Sequence, residues 1–569
     1  MLTRRDLLKL GLLSGGYTLL ASGSGLRRVF AQSGLPASPR TTPFLMELPI
    51  PPSPPETAPF TPDPACAPFV NRSKTHFFKL VEHEDRVSIH PNLPDTVVWH
   101  YRPDVSNGSW PFALGPTFKV RIANDVGEGV IVRMRNDLPA NHVGFGVPHT
   151  TTHLHGGHHP SLSDGFPDNI TGFPPFVIVP PGEPGPHSYD YCYPLLDPGF
   201  FEGHPDRTER PSTLWYHDHL FDFTGPNVQK GLAGFFLVFD DLDTGDEATG
   251  LRLPSNTFNA QDIGPFDIPL VLQDRRIGPD GQFIYDPLEE HEGFLGDTFL
   301  VNGAIQPYLK VNKRRYRFRF LNGSNARFYR IFLTNASGQT FPMDQIATEG
   351  GLLSAPIGIT SFEIAPAERV EVLVNFADLP ATTSTFYFEN RLEQTEGAQP
   401  GDVLSRGTRL LQLRVGVRVV DNSQVPPVLR PFTAISQAEL RTARHKTFEF
   451  DQSDGWVIND QLADLEHPLT TSVRNQGEIW HLDAGSGWAH PVHIHLEFMR
   501  ILRRDGNLPP LNERDGVARK DTIAIGADFG DADIFIKFRD YPGPFVFHCH
   551  NIEHEDMRMM ARMDILNIR

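Results

Sequence analysis

Cysteine is scarce in this chain, with three residues in 569. That excludes a scaffold stapled by many disulfides and makes each sulfur worth locating. Positive charge also falls short: 51 basic residues face 69 acidic ones, for a net charge of −18. A general affinity for nucleic acid or anionic lipid needs the opposite sign, so neither is an expected partner. Membrane-spanning runs are missing as well. The apolar stretch from Leu7 to Leu20 contains three glycines and Lys9, and its roughly 14 residues fall short of the ~20 that cross a bilayer. Long helical periodicity is nearly absent. In its place, short β-branched and aromatic runs alternate with Gly, Pro, Asn and Asp, which predicts an all-β protein built from sandwiches.

What is present begins with Thr3-Arg4-Arg5-Asp6 ahead of that apolar stretch, and Val29-Phe30-Ala31 after it. Residues 1–31 therefore read as a twin-arginine export signal, and the mature protein is expected to be periplasmic or extracellular. Prolines recur every few residues from Pro36 to Pro68. Such a stretch favours extended chain over ladders and helices, so residues 32–70 are expected to form an arm lying across the domains. Beyond it, Pro116-Thr117-Phe118-Lys119-Val120 and Pro307-Tyr308-Leu309-Lys310-Val311 open similar pairs of strands, with a looser copy at Pro468 to Leu482. Three related β units are expected, over 71–245, 246–425 and 440–569.

The most informative stretch is Phe547-His548-Cys549-His550-Asn551-Ile552-Glu553-His554, followed by Met559. Side chains alternate along a strand, so Cys549 faces one way while His548 and His550 face the other, about 7 Å apart. Cys549, His554 and Met559 lack only a second histidine to make a blue-copper site, and His490 supplies one. His548 and His550 are too far apart to share one ion and suit two neighbouring ones. Further pairs stand at His153/His155, His217/His219 and His493/His495. With 24 histidines in 569 residues, chance gives roughly one such pair, whereas four are seen. Eight paired imidazoles suffice for a three-metal cluster, and the backbone around Cys549 would join it to the mononuclear site.

These four blocks, in this order, resemble the multicopper oxidases, the family of laccases and bilirubin oxidase. The opening 44–51, the block 350–376 and HCHNIEHEDMRMM at 548–560 resemble its bacterial spore-coat laccase branch. The resemblance implies three cupredoxin-like Greek-key β-sandwich domains and four copper ions. It implies His153 and His493 on a type 2 copper, with His155, His217 and His550 on one type 3 copper and His219, His495 and His548 on the other. His490, Cys549 and His554 would hold the type 1 copper, with Met559 as weak axial ligand. Asp164 and Glu555 match acids that help deliver protons.

The implied activity is that of a laccase-like enzyme. It would couple four one-electron oxidations of phenols, aromatic amines or tetrapyrroles to reduction of dioxygen to water, acting as a monomer on small-molecule reductants. Electrons are expected to enter at an exposed edge of His490 or His554. Oxidation of Cu(I) or Mn(II) is the alternative within catalysis. A copper-free exported scaffold should lack the cysteine and most of the histidine pairs, and a two-domain nitrite reductase would not need four pairs. Cys66 and Cys192 are left as either a disulfide or two buried thiols. His149, His158 and His159 fit no ligand slot and are expected to be solvated, and Asp218 is expected to turn away from its neighbours and hold a backbone amide.

Overall fold

Two parallel strand contacts recur three times along the chain. His76–Val87 runs beside Val130–Asn136, and Phe118–Arg121 beside Ala233–Phe239. Asp267–Ile277 pairs likewise with Arg315–Asn322, and Tyr308–Lys313 with Val403–Arg418. Arg444–Gln452 pairs with Gly477–Ala484, and Thr470–Val473 with Met560–Leu566. The second strand of each set follows a proline, Pro116, Pro307 or Pro468, and each lies at the edge of its sheet. An edge position tolerates a residue without an N–H. The result is six sheets packed as three sandwiches.

The computed structural model describes residues 36–69, 74–105, 109–122, 129–255, 266–286, 291–380, 382–453, 455–485 and 487–567. The export signal expected at 1–31 lies outside them. Each sandwich closes on its own core: Leu80, Trp99 and Phe236 in the first, Phe318, Phe320 and Phe388 in the second, Trp480, Val492 and Phe547 in the third. Strands alternate one side chain into such a core with one out of it, so the outward faces remain free to carry polar residues. Among the described residues the α-helices are short, Thr224–Lys230, Gln437–Thr442 and Ile552–Asp556, and none is long and apolar enough to cross a membrane.

The proline-rich segment runs along two sandwiches. The amides of Phe44 and Leu48 donate to the carbonyls of Gln306 and Tyr308, Thr57 N donates to Phe77 O, and Pro52 O accepts from Thr117 N. Extended chain is not its whole description, because Pro64–Phe69 winds into a 3-10 turn. The turn starts where Asp63 accepts from Ala65 N through its carboxylate and from Cys66 N through its carbonyl. The turn presents Cys66 to Cys192 on the strand Ser188–Tyr193, and the two form a disulfide with Cα atoms 5.7 Å apart, which closes the alternative left open by the sequence.

Candidate metal centres

The strand Gly543–Cys549 sends Phe545, Phe547 and Cys549 into the third core and turns His548 to the opposite face. Its antiparallel neighbour His490–Ile494 sets Val492 opposite Cys549 and His493 opposite His548. Two-residue alternation therefore puts His490 on the cysteine side and His493 and His495 on the other. Cys549 Sγ lies 3.5 Å from His490 Nδ1 and 3.6 Å from His554 Nδ1, and the two imidazole nitrogens are 3.3 Å apart. Met559 belongs to the same buried cluster as Cys549. Its amide donates to His554 O and its carbonyl accepts from Cys549 N, tying it to both residues.

On the far face, the first sandwich meets the third. Thr152–His155 pairs with Thr213–Asp218 so that His153 faces His217, while Leu154, Leu214 and Tyr216 fill the core behind them. All eight paired histidines are buried. Their ring nitrogens gather as His153/His155/His493, His155/His217/His550 and His219/His495/His548, each set lying within 4.8 Å. His548 Nε2 is 3.2 Å from His219 Nε2 and 3.3 Å from His495 Nε2.

The ring orientations are fixed from outside. His153 Nδ1 donates to Asp164 O at 2.6 Å, His493 Nδ1 to Asp521 O at 2.8 Å and His217 Nδ1 to Asp218 O at 2.8 Å. Each of these three rings leaves Nε2 without a partner. His155 is reversed: its Nε2 meets Asp521 Oδ1 and Thr522 Oγ1, both at 3.2 Å, and its Nδ1 is the orphan. Asp521 is in turn held by the Arg369 guanidinium of the second sandwich. Gly156 makes room for this pair. At φ +84 it takes a left-handed conformation, and a Cβ there would stand 2.7 Å from both Arg369 Nη2 and Asp521 Oδ2. Asp521 has no motif around it in the sequence, and Arg369, although inside the block 350–376, carries no local signal of its partner.

Two acids flank the histidines where the sequence led us to look. Asp164 Oδ2 accepts from His495 Nδ1 at 2.8 Å, and burial pushes its carboxyl up to about 6. Glu555 reaches His548 Nδ1 at 3.0 Å and His219 Nδ1 at 3.6 Å and accepts from Thr224 Oγ1 at 2.9 Å. Burial would raise its pKa, but the His548 and His219 imidazoles facing it outweigh that and hold it well below the carboxylate range. Burial lowers the imidazoles, His217 and His490 to about 3, and raises the Cys549 thiol. Neutral, unprotonated rings around a sulfur that needs a cation to stay anionic are the donor set of a soft metal.

Asp218 does turn away, accepting from Thr151 N and Leu220 N and from Asn227 Nδ2. Three expectations are corrected. His159 is buried, and His158 is largely enclosed, bonded to Asp540 at 2.9 Å; both fill the seam between first and third sandwiches instead of facing water. His149 alone of the three histidines keeps to the expectation, half-exposed and bonded to Glu183 at 2.7 Å. The edges of His490 and His554 are not exposed either, because both residues are 0% accessible. Trp456 stacks on the His554 ring with centroids 3.5 Å apart, and Glu292 O accepts from His554 Nε2 at 3.1 Å.

A multicopper oxidase domain model matches residues 432–567. A laccase of Haloferax volcanii is 32% identical over 93% of this chain and 86% of its own length. The chain belongs to the multicopper oxidase family. A bilirubin oxidase of Albifimbria verrucaria is 30% identical to this multicopper oxidase over 79% of the chain and 70% of the relative. The crystal structure of the McoA multicopper oxidase from Aquifex aeolicus superposes with a TM-score of 0.68 at 25% identity, covering 86% of this chain and 96% of that one. The three sandwiches are cupredoxin-like domains, and the protein is a laccase-like multicopper oxidase, a copper enzyme that uses dioxygen and a reductant. Copper fits the residues: the orphan nitrogens of His153, His155, His217 and His493 point at no protein partner, and no ordinary core would bury so many unpaired imidazoles.

Proposed function

We propose that this multicopper oxidase oxidises phenols, aromatic amines or tetrapyrroles one electron at a time and reduces dioxygen to water with four copper ions. His490, Cys549 and His554 would hold a type 1 copper, with the Met559 thioether in the same buried cluster as a further soft donor. His153 and His493 would hold a type 2 copper, and His155/His217/His550 and His219/His495/His548 a type 3 pair. The observation that carries this reading is the gathering of the eight histidines and of His490, Cys549 and His554 into buried sets, His153/His155/His493, His155/His217/His550, His219/His495/His548 and His490/Cys549/His554, whose ligand atoms lie within 4.8 Å of one another. Copper held by these residues would supply one-electron redox chemistry on the Cys549 side and four-electron reduction of dioxygen on the histidine side.

The chain's own residues supply the rest. Cys549 is joined through the backbone to His548 and His550, so the peptide is a covalent path from the sulfur to the histidine cluster. Asp164 and Glu555 hold His495 and His548 by their Nδ1 atoms and are the acids able to pass protons to oxygen being reduced among those rings. Packing of the first sandwich against the third excludes bulk water from the cluster. The division at 71–245, 246–425 and 440–569 belongs to the same proposal, supported by the threefold recurrence of parallel strand pairs. So do monomeric action and export by the twin-arginine route to the periplasm or beyond, the latter supported by Arg4-Arg5 and the short apolar run.

Oxygen uptake by the copper-loaded protein across phenols, an azo-type radical-forming dye, bilirubin, Mn(II) and Cu(I) tests the substrate class. Uptake with the organic reductants is expected. Uptake with the metal ions alone overturns it.

A further inference from the structure

The helix Ile552–Asp556 carries His554, and its other polar side chains are spent on residues of all three sandwiches. Glu553, Glu555 and Asp556 are all buried on this five-residue element, and burying three carboxylates so close together is costly unless each is fully engaged. Glu555 turns to the histidine cluster, as described above. Glu553 turns to the second sandwich, which contributes no candidate ligand among the described residues. Its Oε1 accepts from Tyr285 Oη at 2.7 Å and Asn325 Nδ2 at 2.6 Å, and its Oε2 from Phe294 N at 2.9 Å. Asp556 turns to the first sandwich, accepting from Thr224 N at 2.8 Å and Gly225 N at 2.9 Å.

The contacts close on one another. Asn325 O accepts from Ile552 N, and Asn325 Oδ1 from Gln229 Nε2 at 3.0 Å. A Cβ on Gly225 would stand 2.8 Å from Tyr285 Oη and 3.0 Å from Asp556 Oδ2, so the three bodies touch at this point. Asn551 Nδ2 and His554 Nε2 both lie within bonding distance of Glu292 O, next to the Phe294 amide that Glu553 holds. The helix has neither the length nor a side-chain cap to be stable by itself. Its position is set by these outside bonds.

We infer that Glu553 and Asp556 are positioning residues of the type 1 site, and that the ligand-free second sandwich acts through Glu553 to fix where His554 meets Cys549. This rests on the type 1 assignment proposed above. Metal sites respond to such outer contacts: losing a group that orients a ligand costs about 10- to 100-fold in affinity. The bonds also hold the short chain from Cys549 to Met559, which contains the cysteine, a histidine and the methionine.

The test uses the full-length, copper-loaded enzyme and the variants Tyr285→Phe, Asn325→Leu, Glu553→Ala and Glu553→Gln. It reads the visible and EPR signatures and the reduction potential of the type 1 site, its copper retention against a chelator, and the type 2 EPR signal. Tyr285→Phe and Asn325→Leu are expected to shift the type 1 band, hyperfine coupling and potential while the type 2 signal stays as in the wild type. Glu553→Ala should shift them furthest and lower type 1 copper retention about 10- to 100-fold, and Glu553→Gln, which keeps an acceptor oxygen, should recover part of the change. Should Glu553→Ala fail to fold, the two second-sandwich variants decide. Wild-type spectra and potential in both, with only a lower Tm, overturn the inference. Failure of the copper assignment is read separately, in the wild type, as a loaded protein with no blue band.

Discussion

His548 Nδ1 lies 3.1 Å from the carbonyl oxygen of Cys549, its neighbour in the strand. The two residues face opposite sides of the sheet, yet this contact gives a second, shorter route between the sulfur side and the histidine side beside the covalent one. Both routes begin at one residue. Cys549→Ser should therefore abolish the blue absorption and organic oxidation together, while copper analysis still finds metal on the eight-histidine side. Phenol oxidation at the wild-type rate would show that electrons reach the cluster some other way.

Met559→Leu conserves volume in a closed core position and should cost less than ~1.5 kcal/mol of stability. Removing the soft sulfur proposed as a type 1 donor should raise the potential of that site. A redox titration that superposes on the wild type's would contradict that role.

Asp521 bonds His155 and His493 at once and is clamped by Arg369. Asp521→Ala is expected to weaken copper binding at the cluster about 10- to 100-fold and to leave the type 1 absorption in place. Equal chelator resistance in mutant and wild type would remove it from the metal site.

Copper held in the proposed cluster between the first and third sandwiches would bind the folded chain in preference to the unfolded one. At a free concentration of about 100 Kd, one such site adds about 2.7 kcal/mol to stability. Calorimetry should show the copper-loaded protein unfolding at a higher temperature than the apoprotein. Coincident transitions would mean that the seam is held without metal.

His158 faces Asp540, Glu497 and Arg539, with the Tyr541 ring against it. Burial lowers its pKa, but the Glu497 charge and the Asp540 bond outweigh burial and raise it. A raised folded pKa adds stability that is complete below the unfolded value near 6.5 and is lost as pH rises through the folded one. The Tm difference between wild type and His158→Gln should thus be largest in mild acid and shrink on the alkaline side. A pH-independent difference would assign His158 to packing alone.

Strand alternation made most of the candidate centres readable in advance. Cys549 between His548 and His550 dictates two faces, and His490 and His493 obey the same rule in the paired strand. What escaped the sequence depends on contacts between distant segments. Asp521 meets His155 across 366 positions, and Trp456 and Glu292 cover His554 from separate stretches of chain. His158 and His159 sit in a loop, which suggested solvent, but that loop is pressed into the seam between two sandwiches. Local pattern identifies which side chains share a face, and only the packing of sheets says what is laid over that face.

The strap formed by residues 44–48 lies along Tyr308–Lys313, the outermost strand of its sheet. An open ribbon edge there would offer free amides and carbonyls to a second molecule. By occupying part of that edge with its own backbone, the chain leaves fewer free amides and carbonyls there for a second copy to pair with.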